Sequence, residues 1–147
     1  PKTKTLKLKN ENKLLIKKIK QMVDRKLLIF NEQATTADIG DTAHDIYATT
    51  PSRFLGATND ATSGTDLVLY FEGSAEGMAD GDASSVDKVT LTITANKHVS
   101  VLKELAQVLH ATGPGYTDGA VVMFDAENSI SFSDDVTGIA IAVAAQD

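Results

Sequence analysis

The chain has 147 residues, no cysteine, no tryptophan and a formal net charge of −6. This length fits one domain with an ordinary core, and a hydrophobic content of 42% excludes wholesale disorder. The lack of cysteine excludes disulfides, thiolate metal sites and cysteine nucleophiles.

The charges are sorted along the chain. Ten of the fourteen Lys and Arg residues fall within the first 26 positions, where the only acids are Glu11 and Asp24. The remaining positions hold four basic residues against eighteen acids. We therefore divide the chain into a basic N-terminal arm, residues 1–26, and a single acidic domain, residues 27–147. This segregation predicts two different partners or a head-to-tail contact between copies, and the alternative is a solvated segment without a target.

The spacing of apolar residues changes along the arm. Residues 1–10 alternate, which predicts a strand with Leu6 and Leu8 on one face and lysines on the other. Residues 11–26 predict an amphipathic helix, with a strand as the alternative. Its apolar positions have the spacing i, i+4, i+7, i+8: Leu15, Ile19, Met22 and Val23.

The sequence of the acidic domain, residues 27–147, which we call the body, predicts an α+β fold. In this fold a mostly antiparallel β-sheet packs against one helix at about residues 98–111. Residues 32–66 show no clear period, so this long span either conceals short strands or lies over a neighbouring subunit. The helix cannot cover the whole sheet alone. The predicted strands are residues 26–31, 66–72, 86–94, 120–125, 129–133 and 137–144.

No catalytic constellation is visible. The sequence lacks nucleophile-elbow, Walker and zinc-protease motifs, so we expect no catalytic residue and no enzyme activity. Asp80, Asp82 and Ser84 match the first three ligand positions of a calcium loop. The match fails at its sixth position, Ser85, and at its twelfth, Leu91. We expect a solvated acidic loop and no cofactor, with a calcium- or carbohydrate-binding module as an alternative.

The arm is the candidate partner-binding segment. Its lysines suit an acidic protein surface or nucleic acid, but no aromatic residue precedes Phe30 for stacking on bases. Nucleic acid is therefore the less favoured partner, and no membrane partner is expected because no stretch approaches about 20 apolar residues. The candidate residues are Lys2, Lys4, Leu6, Lys7, Leu8, Lys9, Lys13, Lys17, Lys18 and Lys20.

Three segments of the body carry a resemblance to a known class of protein: Arg53–Thr58, Thr65–Gly73 and Val86–Leu109. Together with the Thr-, Ala- and Asp-rich, cysteine-free composition, they resemble small virion proteins of marine tailed phages, especially phages of cyanobacteria. The resemblance spans roughly residues 50–145 and contains no diagnostic motif. It implies a structural protein of the decoration or cement type, assembled in the host cytoplasm into a virion. Its implied partners are a major capsid protein, other virion subunits or further copies of itself.

Overall fold

The computed structural model describes residues 2–24, 26–35, 37, 39, 45–60, 63–73, 86–111 and 119–143. The described chain forms two α-helices, eight strands and a 3-10 turn at Pro51–Arg53. The helices are α1, Lys2–Asp24, and α2, His98–His110. The strands are β1, Leu27–Asn31; β2, Ile46–Thr49; β3, Phe54–Asn59; β4, Asp66–Glu72; β5, Val86–Ile93; β6, Ala120–Asp125; β7, Ile130–Ser131; and β8, Val136–Ala142. The predicted α+β class is confirmed.

The described strands form two four-stranded sheets, where the sequence analysis expected a single one. The first has the order β2-β1-β6-β7 and the second has the order β3-β4-β5-β8. Strand pairing is antiparallel throughout, apart from the parallel pair of β1 and β6. The second sheet supplies the apolar cover that a single helix could not provide, because two packed layers bury each other's inner faces.

Side-chain alternation explains how the second sheet faces the core. In β4 and β5 every second residue is buried, including Leu69, Phe71, Val89 and Leu91. Phe71 meets the first sheet through Phe30, with ring centroids 6.0 Å apart. One core cluster therefore joins both sheets with the buried stripe of α2.

The irregular span between β1 and β4 conceals short strands, which confirms the first of the two alternatives predicted for residues 32–66. Within it lie β2, the 3-10 turn and β3. These strands escaped sequence analysis because β2 has only four residues and β3 contains Gly56, which breaks the expected β composition. Gly56 has φ of 154° and lies where the register of β3 against β4 shifts.

The strand predicted within residues 1–10 is wrong, because α1 spans Lys2–Asp24. Lys and Leu are good helix formers, and a helix satisfies its own backbone hydrogen bonds without a neighbouring strand. In a helix, residues two apart lie on opposite sides, so Leu6 and Leu8 do not share a face. The helical half of the prediction, residues 11–26, is confirmed up to Asp24.

Lys26 is fully buried, although the charge pattern assigns it to the solvated arm. Its ammonium donates to the carbonyl oxygens of Val108 at 2.6 Å and Ala111 at 2.7 Å, with Leu109 at 3.5 Å. The last carbonyls of a helix lack intrahelical partners and carry partial negative charge, so a cation is favourable there. Burial lowers the pKa of Lys26 because it disfavours the charged form. Lys26 thus caps α2 from a distant part of the chain.

We expect Leu105→Ala to lower the free energy of unfolding by about 2–5 kcal/mol, because a buried leucine leaves a cavity. Lys103→Ala, on the exposed side of the same helix, should change it by about 0.5 kcal/mol or less. Chemical denaturation measures both values. Equal losses would contradict the observed orientation of α2.

We expect Lys26→Met to lower the free energy of unfolding by about 1–3 kcal/mol, because it retains the long apolar stem but leaves buried carbonyls without a donor. Lys103→Met is the matched control, since Lys103 is exposed. Denaturation curves of both variants check the cap. A Lys26→Met chain as stable as the control would show that the ammonium contributes nothing to α2.

Candidate functional site

The basic helix α1 presents an uninterrupted exposed surface. All residues from Thr3 to Lys17 are exposed. The helix carries eight lysines against Glu11 and Asp24, so its formal charge is strongly positive. The whole predicted set of partner-binding residues lies on this one element: Lys2, Lys4, Leu6, Lys7, Leu8, Lys9, Lys13, Lys17, Lys18 and Lys20.

Large apolar side chains are exposed on the same helix, and each is more than half exposed. They are Leu6 at 61%, Leu8 at 59%, Leu14 at 56%, Leu15 at 56% and Ile16 at 66%. Helical geometry puts Leu8, Leu15 and Ile16 on one side and Leu6 and Leu14 on the other. Helices in water normally gain most of their stability by packing an apolar face. The two apolar sides of α1 are therefore suited to contact with another protein surface.

The second apolar side borders a shallow groove of about 450 Å³ on α1. Leu6 and Leu14 form its apolar part. Its remaining lining consists of Thr3, Lys7, Asn10 and Glu11. The groove therefore combines leucine side chains with polar groups of both charges, as in the apolar centre and polar rim of a protein interface.

A separate cleft of about 450 Å³ lies along one flank of α2. It is lined by Glu104, Gln107, Val108, Ala111 and Phe132. The Glu104 Oε2 atom is shielded from solvent and finds no hydrogen-bond donor in the described part of the chain. A buried carboxylate oxygen without a donor is costly, so a cation or a hydrogen-bond donor beside Glu104 would be favourable.

Two polar clusters of the body are internally satisfied. The Asp125 carboxylate accepts from Asn128 Nδ2 at 2.7 Å, from Asn31 Nδ2 at 3.0 Å and from the Glu127 amide at 3.1 Å. The Asn128 side-chain hydrogen bond is the main reason why the pKa of Asp125 lies below its ordinary value, and burial opposes it. This cluster closes the turn after β6.

A second internal contact joins the two sheets. Tyr47 in β2 donates its hydroxyl to the Asp87 carboxylate in β5 at 2.9 Å. Burial, together with the Asp87 charge, raises the pKa of Tyr47 well above its usual range. Strand alternation points Asp87 inward, so this residue belongs to the core and not to the acidic loop with which its sequence position associates it.

The predicted calcium ligands Asp80, Asp82 and Ser84 lie outside the described residues, as does His44. His98 donates its Nε2–H to the carbonyl oxygen of Asp66 at 3.1 Å, and His110 is exposed. Among the described residues, no group of three or more His, Cys, Asp or Glu side chains could hold a metal ion.

No family model, curated protein or solved structure matches the chain. Neither described helix is long and apolar enough to cross a lipid bilayer.

Sequence reasoning missed two features of the body. The cap formed by Lys26 joins positions more than eighty residues apart, and no local pattern marks such a contact. Glu104 stands in a regular helical pattern beside the buried stripe, where an acid is typical of a solvated flank. Glu104 becomes part of a cleft because Phe132, from a distant part of the chain, lines the same cavity.

We expect the Asp125→Asn variant to have a lower free energy of unfolding than the wild type at neutral pH. The difference between the two free energies should become smaller as the pH is lowered. A carboxylate with a lowered pKa contributes stability above its unfolded value, 3.8, and loses it as the pH falls through the folded value. Free energies of unfolding measured from about pH 7 to about pH 3 test this. Asp134→Asn controls for the loss of one exposed negative charge. A constant difference over this range would contradict a stabilising role for the Asp125 charge.

Proposed function

We propose that the protein is a non-enzymatic assembly subunit of a virus particle, of the capsid decoration or cement type. Its helix α1 attaches the acidic body to an acidic surface on a neighbouring subunit, either a major capsid protein, another virion subunit or a second copy. No cofactor takes part in this role. The particle would assemble in the host cytoplasm.

One observation carries the assembly role: α1 exposes five large apolar side chains among its lysines over fifteen consecutive exposed residues. Exposed apolar groups of this extent on a soluble chain mark a surface that another molecule covers. The lysines add electrostatic attraction, which guides encounter and selects acidic partners. The virion setting is supported by the resemblance of the three body segments to small phage virion proteins.

Nucleic acid is the second candidate partner, because lysines near phosphates release counterions on binding. Two features favour protein over nucleic acid. The described residues of α1 include no aromatic side chain for stacking, and Leu6 and Leu14 interrupt the basic surface with apolar groups that phosphates do not contact.

We expect a full-length chain with Lys4, Lys7, Lys13 and Lys17 all changed to Glu to lose incorporation into particles while keeping its fold. These lysines are exposed, so their reversal removes attraction without disturbing the core. Mass spectrometry of particles assembled in the presence of each variant measures incorporation, and circular dichroism checks the fold.

The matched control reverses the four exposed basic residues of the body: Arg53, Lys88, Lys97 and Lys103. Both variants have the same net charge, so only the location of the reversal differs. Normal incorporation of the α1 variant would contradict the proposal. The nucleic-acid alternative would be favoured if the wild type bound duplex DNA with an affinity that falls steeply as the salt concentration rises, and was not incorporated into particles.

A further inference from the structure

The cleft beside α2 and the helix α1 have complementary chemistry. The cleft is lined by the partly exposed side chain of Glu104, one of whose carboxylate oxygens lacks a donor within the described residues, next to the apolar groups of Val108 and Phe132. Helix α1 carries ammonium groups next to exposed leucine side chains. Each surface therefore offers what the other lacks.

The nearby ammonium of Lys26 does not supply the missing donor. It points to the carbonyl oxygens at the end of α2, and the closest of these are 2.6 Å and 2.7 Å away. Those carbonyls carry the partial negative charge of the helix terminus and balance the ammonium locally. The Glu104 carboxylate is left to attract a second cation.

The described part of α1 does not fill the cleft of its own chain. Among the α1 residues whose side chains are described, Thr3 to Lys17, none lines the cleft, and α1 approaches the body at the 3-10 turn Pro51–Arg53. Residues Thr3 to Lys17 remain exposed. Within the described residues, the exposed part of the helix and the cleft of the same chain therefore do not cover each other.

We propose that the cleft beside α2 receives a lysine side chain from α1 of a second copy of this chain, with Glu104 as the residue that pairs with it. This rests on the proposed assembly function and deepens it by naming the partner surface. The opposite charges of α1 and the body favour a second copy, since every copy carries both. Pairing of two α1 helices with each other is disfavoured because it would bring like charges together.

The contact joins two different surfaces of the same chain. Such a contact either closes into a ring or a reciprocal dimer, or continues from copy to copy as a filament. In each arrangement one intact helix and one intact cleft are sufficient for one contact. This property allows a test by mixing variants that are defective on opposite sides.

The test uses three full-length chains, each checked for its fold by circular dichroism. The helix variant carries Leu8→Asp and Leu15→Asp, both at exposed positions. The cleft variant carries Glu104→Lys. A control variant carries Ala106→Lys on the exposed flank of α2, away from the cleft. Sedimentation velocity over a range of concentrations measures association of each chain alone and of the helix and cleft variants mixed in equal amounts.

We expect the wild type and the Ala106→Lys chain to associate equally, and the helix and cleft variants to associate about tenfold more weakly or worse. The equimolar mixture should recover a one-to-one complex that cannot extend, because each chain retains one competent surface. A monomeric wild type, unimpaired association of the Glu104→Lys chain, or a mixture that stays monomeric would overturn the proposal. If the self-contact fails while reversal of the α1 lysines still abolishes particle incorporation, the partner is a different subunit and the assembly function stands.

Discussion

The buried ammonium of Lys26 is the interaction on which the arrangement of the helices and the first sheet depends. It lies between α1 and β1 in the chain, and β1 is an inner strand of the first sheet, so one residue connects three elements. Its hydrogen bonds to the last carbonyls of α2 hold the end of that helix over the core. A buried cation is unfavourable without such partners, which makes this junction selective for one packing of α2. The same bonds fix the point at which α1 leaves the body, and with it the place from which the basic surface is presented.

Much of this fold can be predicted from the sequence, because the spacing of apolar residues within several elements identifies each of them as a helix or a strand. β4 and β5 have clean alternation, and α2 has a regular apolar stripe, so each was located to within a residue or two. The spacing of apolar residues gives the wrong element where a segment is compatible with both a strand and a helix. The alternating Lys and Leu of the first ten residues resemble a strand, yet no described strand pairs with them and the helix prevails. The division into two sheets, the Lys26 cap and the Glu104 cleft all depend on contacts between distant positions, which a period cannot reveal.

The candidate site, too, was predicted only in part from the sequence. The candidate partner-binding lysines and leucines of the arm were identified as a group from the sequence, and the structure places that set on α1, whereas Lys26 lies beyond the helix and is buried. Their arrangement changed, because a helix distributes Leu6 and Leu8 to opposite sides where a strand would have aligned them. The consequence is a helix with two apolar sides instead of one. A two-sided helix suits a groove or a junction between subunits better than a flat surface, which would cover only one of them.

The parallel pairing of β1 with β6 has a consequence for how the chain reaches its native state. Leu28 pairs with Val121, roughly ninety positions later, whereas β3 pairs with the next strand, β4, and β4 pairs with the next strand, β5. Contacts between distant positions form slowly because a long loop must close first. During synthesis, the apolar side chains of β1 emerge long before their partner strand and must wait for it. We infer that the β3-β4-β5 part of the second sheet forms early and that pairing of β1 with β6 limits the rate of folding, which leaves Leu28 and Phe30 exposed to aggregation in the interval.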